Sequence, residues 1–338
     1  MRLGYLFLIV VLLAACKPGR KVNTSFYYWK TVYRQNDTAD SYLKRLNAHK
    51  LYVRIMDIDM ADDGVNPIPI SPITFQNKLP DSLQIIPVVF IVNDVLRNIT
   101  HARMDDLSRK LNNFVKAKAE QAGKANFNEL QIDCDWTQET RDNYFYLLKQ
   151  IKRLIGDKQL SVTLRLHQLK NQKTSGVPPA DKVLLMCYNM GNLRKYGVQN
   201  SIIELSELEK YTDDNLGTYP MPMDIGLPLF SWVVAFRDKQ YIGIDKRIKF
   251  DNLNQTNQFA SKGNNLYTAE TDLPAYGLHK GDEVRWEDSD IKAVQAAAAY
   301  IAQYLKPGEV NIVYFHLDGA MVKKYKYEDL QNTANLVR

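Results

Sequence analysis

Eight short runs rich in aliphatic, aromatic and β-branched residues recur along this chain, and most are followed by a stretch of helical spacing. That rhythm restricts the fold more than any other feature. The runs cover 26–33, 51–60, 82–92, 130–134, 159–167, 182–190, 223–236 and 310–317. Ser82–Val92 is almost wholly apolar, as a parallel strand covered on both faces must be. Helical spacing runs through Thr38–His49, Met104–Ala122, Glu139–Ile155, Ser201–Tyr211 and Ile291–Leu305. Strands alternating with helices imply βαβ units and a parallel sheet. Eight of them predict a (β/α)8 barrel over 25–338, and 338 residues hold one barrel of roughly 250 plus insertions. An open doubly wound sheet is the alternative. It is weakened because no G-x-G-x-x-G or phosphate-loop pattern follows a strand. The polar, Asn-rich segment 247–287 is too long for a simple connection and is expected to be an insertion after the seventh strand.

The fourth run reads L-Q-I-D-C-D-W-T from Leu130 to Thr137. Leu130, Ile132 and Cys134 alternate with Gln131, Asp133 and Asp135, the period of a strand. Two carboxylates two apart share a face, here at the C-terminal end of the strand, where barrels collect their reactive groups. The competing reading is that Asp133 and Asp135 cap the next helix or pair with basic neighbours. Other strand ends add polar groups: Asp57 and Asp59 on the second, Arg165 and His167 on the fifth, Tyr188 and Asn189 on the sixth. Trp232 lies on the seventh, and His316 and Asp318 on the eighth. Together they predict a polar cleft at one mouth, although each alone is as compatible with a cap or a core hydrogen bond. Trp136 and Trp232 are candidates to stack on a ring-shaped ligand or to fill space under the helices. Glu287, in the insertion, is a candidate to fold over the cleft.

The N-terminus carries a separate signal. Arg2 precedes the apolar run Tyr5–Ala15, which is too short to span a membrane and has the form of a secretory signal over residues 1–15. Leu13-Ala14-Ala15-Cys16 looks like a lipobox, which makes Cys16 the lipidated first residue of the mature chain and 16–24 a flexible tether. The expected location is the cell envelope, with the outer membrane preferred. Removing residues 1–15 removes Arg2 alone and leaves 43 basic against 38 acidic residues, a spread-out +5 that offers no stripe for nucleic acid. Cys134 and Cys187 lie in apolar strands and read as core thiols. The five histidines lack metal-ligand spacing, and no cofactor is expected. The two D-x-D pairs leave open a metal-dependent polysaccharide or phosphate enzyme, but that pattern is common and weak.

Leu130–Thr137 resembles the strand-four signature D-x-x-D-x-D-x-E of family-18 glycoside hydrolases, the chitinase-like barrels. Asp133 and Asp135 fall on its second and third aspartates, Leu130 on the first, and Thr137 on the acid glutamate. Met186-Cys187-Tyr188-Asn189 resembles the family's strand-six M-x-Y-[DN] element. The resemblance implies Asp133, Asp135 and Tyr188 as catalytic candidates. Asp135 would support attack by the substrate's own N-acetyl group, and Tyr188 would hold the acetyl oxygen. Asp57, Asp59, Trp136, Arg165, His167, Asn189, Trp232, Glu287, His316 and Asp318 would line the glycan. Threonine cannot act as a general acid at neutral pH, so either another residue, such as Glu139 or Glu287, supplies the proton or no hydrolysis occurs. Over most of its length the chain also resembles Bacteroidetes-type lipoproteins with a glycoside-hydrolase-like barrel. The residues that carry this are LYVRIMDIDM at 51–60, IIPVVFIVN at 85–93, GDEVRWE at 281–287 and YFHLDG at 314–319.

The expectation is therefore an envelope lipoprotein whose barrel acts on or binds an N-acetylated glycan, with a non-catalytic binding or scaffold protein as the alternative. Replacing Cys16 with alanine is expected to move the protein from the membrane to the soluble fraction. Retention of that variant on membranes washed in high salt would remove the lipid anchor.

Overall fold

The computed structural model describes residues 19–212, 214–255 and 257–338. Cys16 and the signal segment 1–15 lie outside the described residues. Seven barrel strands come first: β1 (Lys21–Tyr28), β2 (Lys50–Met60), β3 (Gln84–Ile91), β4 (Glu129–Cys134), β5 (Gln159–Arg165), β6 (Lys182–Met186) and β7 (Met223–Pro228). The insertion supplies β8 (Ser231–Arg237), β9 (Gln240–Asp245), β10 (Phe259–Gly263), β11 (Leu266–Ala269) and β12 (Glu283–Asp288), and β13 (Glu309–Phe315) completes the barrel. All eight barrel strands pair in parallel, and β1 closes the ring by bonding to both β2 and β13. The predicted (β/α)8 barrel is the observed fold.

The helices pack outside it. The main ones are α1 (Asp37–Arg45), α2 (His101–Gln121), α3 (Arg141–Ile155), α4 (Leu205–Thr212), α5 (Ile291–Ala302) and α6 (Tyr327–Val337). The Asn36 side chain accepts from the Ala39 amide and the Thr100 hydroxyl from the Arg103 amide, satisfying amides that α1 and α2 leave unpaired at their starts. On α3, Tyr144, Leu147, Leu148, Ile151 and Ile155 are buried against the strands, at the three- and four-residue spacing of one helix face.

Three boundaries differ from the sequence reading. The first strand starts at Lys21, so residues 21–24 of the segment expected to be tether belong to the barrel. Lys21–Thr24, polar but for Val22, qualify because the ladder to Glu309–Ile312 is made by backbone, whatever the side chains. Arg20 is also fixed, donating to the carbonyls of Ala302, Leu305 and Val337 at 2.7–2.8 Å. Val32–Tyr33 forms a separate short pairing with Thr74–Phe75. The apolar run 223–236 breaks at Pro228–Phe230. Its second half leaves the barrel as β8, the second strand of a five-stranded antiparallel sheet ordered β9-β8-β12-β11-β10. The insertion thus starts near residue 229 rather than 247. It has a core of its own, built on Val233, Ile248, Phe259, Tyr267, Val284 and Trp286.

The floor of the barrel holds a buried ionic cluster. The Lys182 ammonium lies 3.0 Å from Glu129 and 2.7 Å from Asp224. Ser161 donates to Glu129, and Asn311 donates to Asp224 from both its backbone and its side chain. Every member projects inward from the start of its strand, so the lysine is held between two carboxylates away from water. Replacing Lys182 with methionine would leave both carboxylates buried without a cation. The expected loss is about 3–5 kcal/mol in urea unfolding, and a loss under 1 kcal/mol would show that the cluster is not sealed from solvent.

Candidate functional site

A cavity of about 310 Å³ opens at the C-terminal mouth of the barrel. Trp29, Phe90, Phe230, Trp232 and Phe315 give it aromatic walls, and Asp57, Asp133, Arg165, Tyr188, Asn189, Lys246 and His316 give it polar groups. Each strand contributes through its pleat. On β4, Glu129 and Gln131 point inward, and Asp133, next on the same face, reaches the cavity floor with only 5% exposure. The Thr163 hydroxyl donates to Asp133 at 2.6 Å. On β2 the bonding register shifts between Arg54 and Met56. That bulge puts Arg54 and Asp57, three apart, on one side, where the guanidinium grips Asp57 through Nε at 2.6 Å and also through Nη2.

Asp135 sits above Asp133 at the rim. Both its oxygens are held by Arg165, through Nη2 at 2.7 Å and through Nε. Arg165 rather than Asp135 lines the cavity. A bidentate guanidinium–carboxylate pair leaves little of the carboxylate free to support a positive centre on a ligand. Thr137, at the family's acid position, is an exposed residue of the turn into α3. Its amide donates to Thr140 Oγ1 at 3.0 Å. Glu139 is turned outward to Arg97. Neither residue reaches the cavity.

Of the predicted site residues, Asp57, Asp133, Arg165, Tyr188, Asn189, Trp232 and His316 line the cavity and Asp135 stands at its edge. Five others need correction. Trp136 is fully buried, bonded to the Ser175 carbonyl at 2.9 Å and stacked on Tyr144, so no ring face meets a ligand. It is out of phase with Asp133 and Asp135 and therefore faces the helices. Asp59 lies past the barrel rim, paired with the short strand Pro67–Ile70, and accepts from the Met60 amide. His167 falls on the short helix Leu166–Lys170 and faces solvent. Asp318 pairs with Lys30 at 2.5 Å and caps the turn Gly319–Val322. Glu287 is buried behind Trp232 and takes its indole N–H at 2.7 Å. Trp29, Phe230, Lys246 and Phe315 went unread. Trp29 shares the inward phase of Tyr27 just past the end of β1, so the strand-end rule applied to the first strand finds it.

Burial and charge set the protonation states. Burial, with Asp135 nearby, pushes the Asp133 carboxyl up from 3.8 to about 6. Burial moves His316 the other way, from 6.5 to about 4, so its imidazole is neutral near pH 7. Burial also lifts the Tyr188 phenol well above its ordinary range, so it stays protonated. Its hydroxyl has no hydrogen-bond partner among the described residues, and neither has His316 Nδ1. An unpaired buried hydroxyl costs free energy that a ligand acceptor would recover. Among the described residues no group of three or more His, Cys, Asp or Glu is placed to hold a metal.

Because the folded state raises the Asp133 pKa, it favours the protonated carboxyl. That contribution to stability is complete below about pH 4 and is lost as pH rises through about 6. A shift of this size is worth about 3 kcal/mol. Asp133→Asn is therefore expected to be more stable than the parent at pH 8, with the gap closing as pH falls to 4. Reading the difference between the two proteins cancels the opposite contribution of His316. A gap independent of pH in parallel urea titrations would contradict the raised pKa.

No protein-family model matches the chain. No curated protein matches it either. Its fold is similar to that of the spore cortex-lytic enzyme SleL of Bacillus cereus, with a TM-score of 0.54 and 15% identity, covering 94% of this chain and 75% of that one. It is also similar to the Group IV chitinase of Ostrinia furnacalis, with a TM-score of 0.55 and 11% identity over 94% of this chain and 99% of that one. The same chitinase in complex with allosamidin matches with a TM-score of 0.53 and 12% identity, covering 93% and 98%. At these identities the common property is the architecture, a (β/α)8 barrel.

Proposed function

We propose that this protein is an envelope lipoprotein whose barrel mouth binds an N-acetylated glycan without hydrolysing it. The observation that carries this reading is the Asp135–Arg165 pair. In the pattern that the strand resembles, the aspartate at this position assists the N-acetyl group and a glutamate two residues on donates the proton. Here the first is held by a guanidinium and the second is a threonine on an outward turn. The binding features remain. Aromatic walls offer flat apolar faces to sugar rings, and the free Tyr188 hydroxyl offers a donor to an amide oxygen. The structural neighbours support a glycan as the ligand class, since one is named a cortex-lytic enzyme and another a chitinase with allosamidin bound. The anchor on Cys16 rests on the lipobox alone.

A second reading, hydrolysis with Asp133 as the acid, is favoured by the proton that Asp133 keeps up to about pH 6. Turnover would then fall as pH rises through that value.

Calorimetry with chito-oligosaccharides, paired with reducing-end release, decides between them. Binding without release is expected, and Trp232→Ala should weaken binding about tenfold or more, the equivalent of one well-packed aromatic contact. Thr137→Glu should stay inactive both alone, where Asp135 remains paired, and with Arg165→Ala, because residue 137 lies on an outward turn away from the cavity. Steady hydrolysis by the parent protein would overturn the binding reading, and absence of binding would overturn the glycan.

A further inference from the structure

Trp232 is the aromatic part of the cavity wall that the insertion sheet supplies, beside Ser231, and Lys246 follows just after β9. Its indole is held from behind. Trp232 on β8 and Glu287 on β12 are directly opposed in the antiparallel ladder. Glu287 Oε2 accepts from the Trp232 indole at 2.7 Å and from the Ser201 hydroxyl at 2.5 Å. Glu287 Oε1 accepts from Arg285 Nε at 2.7 Å, and both side chains of that pair are fully buried. The rest of the guanidinium is spent on the carbonyls of Leu193, Lys195 and Gly197, at 2.7–3.2 Å, in the loop after β6. Ser201 belongs to the return of that loop. Its carbonyl accepts from the Met190 amide, and the Ile202 carbonyl accepts from the Asn189 amide. One carboxylate therefore joins two walls of the cavity, the Tyr188–Asn189 corner and the Trp232 face.

A buried charge pair of this kind is seldom an efficient way to stabilise a fold, because apolar side chains of similar volume often do as well or better. What it provides here is direction. The indole N–H has one acceptor, so the ring plane is fixed relative to the cavity, and the loop after β6 is fixed to the same atom. We infer that Glu287 is a positioning residue that sets the Trp232 ring and the strand-six corner in the arrangement that receives a sugar, with the insertion sheet a rigid wall rather than a lid. The inference rests on the glycan-binding reading and goes further by naming how the platform is oriented.

A double-mutant cycle on the full mature chain tests it, with chito-oligosaccharide affinity by calorimetry and melting temperature read for each protein. Trp232→Phe keeps an aromatic face and removes only the N–H. If Glu287 acts through that N–H, Glu287→Ala should weaken affinity about tenfold in the parent and less than twofold in Trp232→Phe, a coupling of the size contacting residues show. Should Glu287→Ala not fold, Glu287→Gln takes its place. It keeps one acceptor oxygen but sets an amide N–H₂ against Arg285 or Ser201, and the same loss of effect in Trp232→Phe is expected. Affinity losses that simply add, or a lowered melting temperature with unchanged affinity, would reduce Glu287 to a structural part and overturn the inference. A parent protein that binds no chito-oligosaccharide would overturn the glycan reading, and this inference with it.

Discussion

Closure of the sheet is the constraint on which everything else here depends. Once β1 bonds to both β2 and β13, every second side chain on eight strands is forced into one narrow interior. Polar groups placed there must find partners within the barrel. Lys182 between Glu129 and Asp224 at the floor, and Tyr27 bonded to Gln131 at 2.5 Å one layer up, are the results. The next layer up is the cavity, where Asp133 finds Thr163 but Tyr188 finds no partner among the described residues. The charged groups at the bottom are thus all paired, whereas the layer open to a ligand leaves the Tyr188 hydroxyl and His316 Nδ1 without partners among the described residues. Gly226 belongs to the same logic: a Cβ there would lie 2.9 Å from Leu184 and 3.2 Å from the Tyr188 ring.

Charge at the mouth is arranged in pairs that differ in consequence. Arg54 neutralises Asp57 and Arg165 neutralises Asp135, so two of the three carboxylates around the cavity carry a fixed counter-charge. Asp133 has a hydroxyl in place of a cation and responds by holding its proton to a higher pH. His316 is neutral for the converse reason. Besides these pairs the cavity presents aromatic rings, a phenol, a neutral imidazole and the Lys246 ammonium.

Much of this could be read from the residues, and the exceptions have physical causes. The alternation in Leu130–Asp135 gives the strand, the face of its carboxylates and their place at the mouth. The same alternation puts Trp136 on the opposite face, a consequence that its aromatic character obscured. The run 223–236 could not be divided correctly from pattern, because an apolar strand of a barrel and an apolar strand of a packed antiparallel sheet have the same composition. Pro228 marked the break, but proline at a strand end is unremarkable. The Arg54–Asp57 grip depends on a bulge, which shifts the face by one residue and leaves no trace in a period-two count. Glu287 was legible as a site-related residue but not in its role, since burial behind Trp232 follows from the register of β8 and β12, two strands that the sequence reading placed in a barrel strand and a loop.

Arg20 carries a consequence for how the molecule is presented. It is tied to three carbonyls at the floor, next to the first residue of β1, so the chain leaves the barrel on the face opposite the cavity. If Cys16 bears the lipid, only four residue steps separate the acyl chains from that fixed point, a reach of about 14 Å at full extension. So short a leash would hold the barrel floor against the headgroups and aim the aromatic cup outward from the bilayer, toward polymers lying above the membrane rather than lipids within it.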